Sequence, residues 1–169
     1  MQKGLDSPAS STIHHRAGDA AAPFSMIKVP FDQSVSKATS RDPRYAADAY
    51  NFLKEALDYT IRVAVKSRGK EPGHVSGPEL CRGVRDYAIQ QFGPMVPTLF
   101  EAWGINTTRD IGEMVFNLIA AGAFSKSEAD RVEDFEGVFD FDDAFVTPFQ
   151  PSQGRNLNGP PRGQSPGGA

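Results

Sequence analysis

The stretch Glu101–Phe124, EAWGINTTRDIGEMVFNLIAAGAF, decides the fold. Trp103 is followed by Gly104, a residue that turns left-handed without a Cβ penalty and so ends a helix. Thr107 or Thr108 then caps a second helix, with Asp110 in its first turn, where the helix dipole favours a carboxylate. Ile111, Val115, Leu118 and Ile119 recur at helical spacing and form its apolar side, and the helix ends at AAGAF. Helix, turn and helix is also the layout by which small domains grip DNA. The stretch therefore poses a choice between a nucleic-acid reader and a packed core.

Upstream, HVSGPELCRGVRDYAIQQFG carries a strong helix start: Ser76 and Glu79 form an S-x-x-E capping box, and Pro78 fits the first turn. Leu80, Val84, Tyr87, Ala88 and Phe92 build the buried face of this helix, and Gly93 before Pro94 stops it. A short helix over Met95 to Trp103 follows, with Val96, Leu99, Phe100 and Trp103 as its apolar residues. Further back, a short helix is expected over Asp32 to Thr39. Asp42 before Pro43 then reads as the start of a long helix running to about Ser67. Tyr50, Leu53, Leu57, Ile61 and Val65 form one apolar stripe on it, and Phe52, Tyr59 and Val63 mark a second. Two apolar faces imply a central helix or a dimer surface, and the central helix is the preferred reading.

Downstream of the deciding stretch, Phe135, Val138, Phe139, Phe141 and Phe145 alternate loosely with acids, and Val138 to Phe141 reads as a short strand, paired across Gly137 as a hairpin. The expected fold is a mainly α domain of four to five helices with a small β element near the C-terminal end of the core, similar to a winged helix.

The ends differ in composition. Residues Met1 to Ser25 are rich in Ser, Ala, Gly and Pro without apolar periodicity, and disorder is expected there. Met26 offers an alternative start of translation. Residues Thr147 to Ala169 hold five prolines and five glycines, with Arg155 and Arg162 and no acid, the composition of a flexible, weakly basic tail. A single domain over 26–146 is expected between these extensions.

A net charge of −3 argues against a chain that coats nucleic acid or anionic lipid by bulk electrostatics. Cys81, the single cysteine, has no disulfide partner in the chain and no second thiol at metal-ligand spacing, which fits a reducing compartment. No apolar run approaches a membrane span, and the N-terminus lacks the apolar core of a secretory signal. The expectation is a cytoplasmic protein with no membrane, metal or cofactor attachment.

Enzyme motifs do not stand out. The chain has no G-x-S-x-G elbow, no phosphate loop and no dinucleotide fingerprint after a strand. His74 beside Ser76 could be drawn as a dyad, but the capping role explains Ser76 in full. DFDDAFVTPFQP, from Asp140, departs from a calcium loop where it matters: Phe145 stands in place of the turn glycine and Pro151 in place of the bidentate glutamate. An enzyme with a noncontiguous site is the least favoured reading.

Two charged groups remain. Between Ser125 and Val146 eight acids face only Lys126 and Arg131. As a solvated edge they would discourage strand pairing; as a function they, with the aromatics, would dock a basic protein partner or a second copy through Glu133, Asp134, Phe139, Asp140, Phe141, Asp142 and Asp143. The rival is a nucleic-acid or ribosome contact through Lys66, Arg68, Lys70, Arg82 and Arg85. Arg44 cannot join that set, since it lies roughly 33 Å from Lys66 along a helix rising 1.5 Å per residue. The outward residues of the would-be recognition helix, Arg109, Glu113 and Asn117 with Asp110 nearby, and the acidic segment after it oppose a DNA role.

Taken together, RDPRYAADAYNFLKEALDYT, HVSGPELCRGVRDYAIQQFGPM, WGINTTRDIGEMVFNLIAAG and EDFEGVFDFDDAF resemble a family of small bacterial proteins found chiefly among planctomycetes and verrucomicrobia. The resemblance covers about Ile27 to Val146. It carries no assigned activity, cofactor or functional residue. It implies that the two ends are lineage-specific extensions.

Overall fold

A computed structural model describes residues 30–68 and 75–151, with Arg68 described by its backbone alone. The expected disorder of residues 1–25 lies outside the described residues, as do Lys70 and His74; of the tail expected to be disordered over 147–169, residues 152–169 lie outside them, while 147–151 are described and Thr147–Phe149 forms a 3-10 turn.

Five helices form the body: α1 (Phe31–Arg41), α2 (Ala47–Arg68), α3 (Gly77–Phe92), α4 (Val96–Trp103) and α5 (Thr108–Ala120). A sixth, α6 (Phe141–Phe145), is a single short turn, and single turns of 3-10 helix lie at Gly93–Met95, Val132–Phe135 and Thr147–Phe149. The described residues contain no strand.

α2 is the axis. It touches each of α1, α3, α4 and α5. Two of its faces are buried over its first half: Tyr50, Leu53 and Leu57 on one side, Ala49, Phe52 and Ala56 on the other. The central-helix reading of its two stripes therefore holds for that half. Beyond Thr60 the pattern opens, and Val63 is 46% exposed. α2 and α3 meet closely at Gly83, where a Cβ would stand 1.8 Å from the Thr60 Oγ1. Thr60 itself is buried and donates to the Ala56 carbonyl oxygen at 2.7 Å, so its hydroxyl costs no unsatisfied donor.

The helix boundaries written in the sequence are largely those observed. The Glu79 carboxylate accepts from the Ser76 amide at 2.9 Å and from the Ser76 hydroxyl at 3.0 Å. Gly93 has φ 51° and Gly104 φ 82°, both in the region glycine tolerates. Gly104 is required twice over, because a Cβ there would lie 2.1 Å from the Arg44 carbonyl oxygen.

Two expectations are corrected. α2 begins at Ala47, not at Pro43. Asp42 instead closes α1, its amide donating to the Ala38 carbonyl at 2.8 Å, while its carboxylate is taken by Arg44 and Asn117. Its Oδ1 also accepts from the Arg44 amide at 3.3 Å, so Asp42 shapes the turn between α1 and α2 and lies five residues ahead of the helix it was expected to cap. The strand over Val138 to Phe141 is also absent. Gly137 turns the chain left-handed at φ 61°, and the Asp140 Oδ1 accepts from the amides of Asp142 at 2.9 Å and Asp143 at 3.1 Å, which starts α6. Without the hairpin the described residues have no wing.

The segment from Ser125 to Val146 is rooted by Phe135, 1% exposed. Its ring lies between Gly112 on α5 and Gly77 on α3, each of which would collide with it if it carried a Cβ. Burying a phenylalanine side chain contributes about 1.5–3 kcal/mol, which helps hold against the helices a segment whose own secondary structure is two short turns, Val132–Phe135 and Phe141–Phe145.

Candidate functional site

Around Phe100, 1% exposed on α4, the chain gathers an aromatic cluster. Phe141 and Phe145 come from α6, with ring centroids 5.9 and 5.4 Å from that of Phe100. Phe139 stacks on Phe141 at 5.7 Å and receives the Arg85 guanidinium at 5.9 Å. α6 thus faces α4 with one edge of its aromatic surface still reachable, because Phe139 and Phe141 are only half-buried.

Two clefts flank that edge. One, of about 240 Å³, is lined by Pro97, Phe100, Ile105 and Phe145, with Glu101 and Asp142 on its sides. The other, of about 380 Å³, lies between Asn106, Thr107 and Thr108 on one wall and Gly137, Phe139 and Asp140 on the other. Asn106, Phe141 and Asp142 belong to both, so the two form one groove with an aromatic floor and a carboxylate rim. Glu101, Asp142 and the neighbouring Asp143 are exposed, and their carboxylates have no partner among the described residues.

The eight acids of this region therefore do different work. Asp130 accepts from the Ser127 amide, Asp134 from the Arg131 amide, Glu136 pairs with Arg109, and Asp140 caps α6. Glu128, Glu133, Asp142 and Asp143 remain exposed to water. Of the expected docking residues, Phe139, Asp140, Phe141 and Asp142 line the groove, Asp143 adjoins it, and Glu133 and Asp134 line neither cleft. Sequence reasoning missed the opposite wall, Pro97, Glu101, Ile105 and Asn106. Glu101, an acid on a short helix otherwise rich in apolar residues, was the available signal.

A second constellation ties the α1–α2 turn to α5. Arg44 donates to Asp42 at 2.7 Å and to Glu113 at 2.5 Å; Arg109 reaches Glu113 at 3.1 Å and pairs also with Glu136. The buried Tyr45 hydroxyl donates to Asp110 at 2.7 Å, and the Asn117 amide donates to Asp42 at 3.1 Å and to the Tyr50 hydroxyl at 3.2 Å. Hydrogen bonding from Arg44 holds the Asp42 carboxyl down at about 2. Burial acts to raise Glu113, but hydrogen bonds from Arg44, Arg109 and Tyr45 outweigh it and leave that carboxyl lowered. Burial pushes the Tyr45 phenol up, helped by the carboxylates of Asp110 and Glu113. Every strong donor here already has its acceptor. Asp110 alone collects the Tyr45 hydroxyl, the Asn106 and Thr107 amides and the Thr107 hydroxyl. The network ties the α1–α2 turn to the outward face of α5 and engages Arg109, Glu113 and Asn117 in contacts within the chain.

The basic residues do not converge into an uncontested cationic face. Arg85 pairs with Asp86 at 2.8 Å, and Arg82 shares the α2–α3 cleft with Glu79 and Asp86. Lys66 is exposed near the end of α2, the side chain of Arg68 is not described, and Lys70 lies outside the described residues. The Ser76 hydroxyl donates to the Glu79 carboxylate at 3.0 Å.

Among the described residues no group of three or more His, Cys, Asp and Glu side chains could hold a metal ion, and no helix is long and apolar enough to cross a membrane. Comparison with protein-family models, with curated proteins and with solved structures finds no match to the chain.

Proposed function

We propose that this chain is a non-enzymatic interaction module whose groove between α4, the α4–α5 turn and α6 takes an extended basic segment of a protein partner. The observation that carries this reading is the pairing of a reachable aromatic surface, the half-buried rings of Phe139 and Phe141, with the unpartnered carboxylates of Glu101 and Asp142 on the rim. An arginine or lysine laid there places its methylenes on the Phe141 ring and its charged head against a carboxylate. A guanidinium suits the site better than an ammonium, since it can bond a carboxylate through two parallel N–H groups and stack on a ring. Phosphate is disfavoured at the same rim by like charge, which turns the reading away from nucleic acid at this surface.

Titration with a short peptide containing Arg, Leu and Pro, followed by amide chemical shifts, tests the proposal. Shifts should concentrate at Ile105–Thr108 and Val138–Asp142. The triple variant E101Q/D142N/D143N should weaken binding about fivefold or more, on the scale of one exposed ion pair worth up to ~1 kcal/mol. E128Q, away from the groove, should leave it unchanged. Shifts scattered over the surface, or equal binding by the triple variant, would sink the docking reading.

A further inference from the structure

The groove begins where the described chain ends. Val146 lines its α4 side, Thr147–Phe149 makes one 3-10 turn, and Gln150 and Pro151 are exposed. Beyond them the sequence reads SQGRNLNGPPRGQSPGGA, with Arg155 and Arg162 and no acid. We infer that residues 152–169 of the same chain are the first occupant of this groove, seated on it in cis so that an external basic segment must displace them. The inference rests on the docking reading above.

Charge complementarity supports it. The rim carboxylates of Glu101, Asp142 and Asp143 have no partner among the described residues, and the segment offers two guanidiniums with no carboxylate side chain to oppose them. The other stretches outside the described residues are poorer complements: residues 1–29 place Asp6 and Asp19 among their cations, and residues 69–74 place Glu71 beside Lys70. Apolar chemistry agrees. Leu157, Pro160 and Pro161 lie between the two arginines, and proline-rich segments dock on aromatic grooves at low entropic cost because their extended helix is preformed.

Reach is sufficient. From Pro151 back to Asp142 the chain spans one turn of α6 and five further residues, which limits the separation to about 23 Å. At about 3.1 Å per residue of extended proline-type helix, Arg155 lies within about 12 Å of Pro151 and Arg162 within about 34 Å. Arg155 can reach the near edge at Phe145 and Val146, and Arg162 can pass Asp142. A tether this short gives an effective concentration in the millimolar range, which suffices to fill a weak site.

The test uses the full chain with a nitroxide on S165C; Cys81 is fully buried and does not compete for the label. Amides of Ile105–Thr108 and Val138–Asp142 should broaden while those of α1 do not, and R155Q/R162Q should abolish the broadening. The double variant should also bind the Arg-, Leu- and Pro-containing peptide about threefold or more tightly than the parent, because a site occupied in cis lowers apparent affinity by its free fraction. Absent or unselective broadening overturns the inference, as does broadening that survives R155Q/R162Q. Broadening seen only when labelled and isotope-enriched copies are mixed also overturns it, by placing the contact in trans. If the peptide still binds the groove of R155Q/R162Q while the parent shows no broadening, only the cis occupant fails. If the peptide binds neither chain, the docking reading fails with it.

Discussion

Substituting alanine for Gly112 should destabilise the domain, although the same change in an open helix would stabilise it. In a helix interior alanine is better than glycine by about 1 kcal/mol. Here the added Cβ would stand 2.6 Å from Cγ, 2.8 Å from Cβ and 2.9 Å from Cδ2 of Phe135. Carbon atoms rest at about 3.5–4.0 Å, so the ring must retreat by about 1 Å. No rotamer change supplies that movement, because the Phe135 Cβ is fixed to the backbone. On the far side the ring already lies against Gly77, whose own Cβ position is 2.9 Å from Cε2. Overpacking of this kind costs about 1–3 kcal/mol, and complete expulsion of the ring would approach the ~3–5 kcal/mol of a Phe→Ala change. Because the ring is confined on both sides the upper end of the overpacking range applies, so after the propensity gain G112A should lose about 2 kcal/mol, a fall in Tm of roughly 8 °C for a domain of this size. Urea and thermal unfolding followed by far-UV circular dichroism measure it. The penalty should shrink in an F135A background, where the ring is gone. G112A as stable as the parent, or more so, would refute the account of how Phe135 roots the acidic segment.

Two further outcomes follow from the charge and burial of single groups. Asp42 titrates at about 2 in the folded chain against an ordinary 3.8, so the stability it contributes is present above the ordinary value and lost as pH falls through about 2; acid unfolding curves should therefore drop across that window, and D42N should flatten the drop while costing about 1 kcal/mol at neutral pH. Cys81 is fully buried and its thiol is pushed up to about 12 by burial, so a maleimide should label it only through unfolding, at a rate that rises steeply with urea; rapid labelling without denaturant would refute that burial.

The parts of the fold that could be read from sequence are those whose chemistry is local. Ser76 with Glu79, Thr107 with Asp110, and the stops at Gly93 and Gly104 each act within a few residues, and each stands where the spacing placed it. Asp42 misled because the same local grammar, an acid before a proline, was overridden by partners 2 and 75 residues away, Arg44 and Asn117. The false strand has a similar cause. Phe139 and Phe141 alternate as a strand would, but Phe145 follows at helical spacing, and Asp140 with Asp142 and Asp143 after it carries the N-cap signal used elsewhere in the chain. At the groove the sequence showed one wall, because Phe139 to Asp143 are contiguous. The other wall is assembled by packing α4 against α6, a contact across some forty residues that no local pattern announces.

α2 changes character at Thr60. Its first half is built into the core between four neighbouring helices, whereas beyond Thr60 it projects with Val63 in solvent and an open cleft toward α3. At that boundary the Thr60 side chain fills the space that a Cβ on Gly83 would need, so the two helices meet there with no spare volume. α2 thus joins a half buried among the other helices to a half that is one wall of an open cleft against α3.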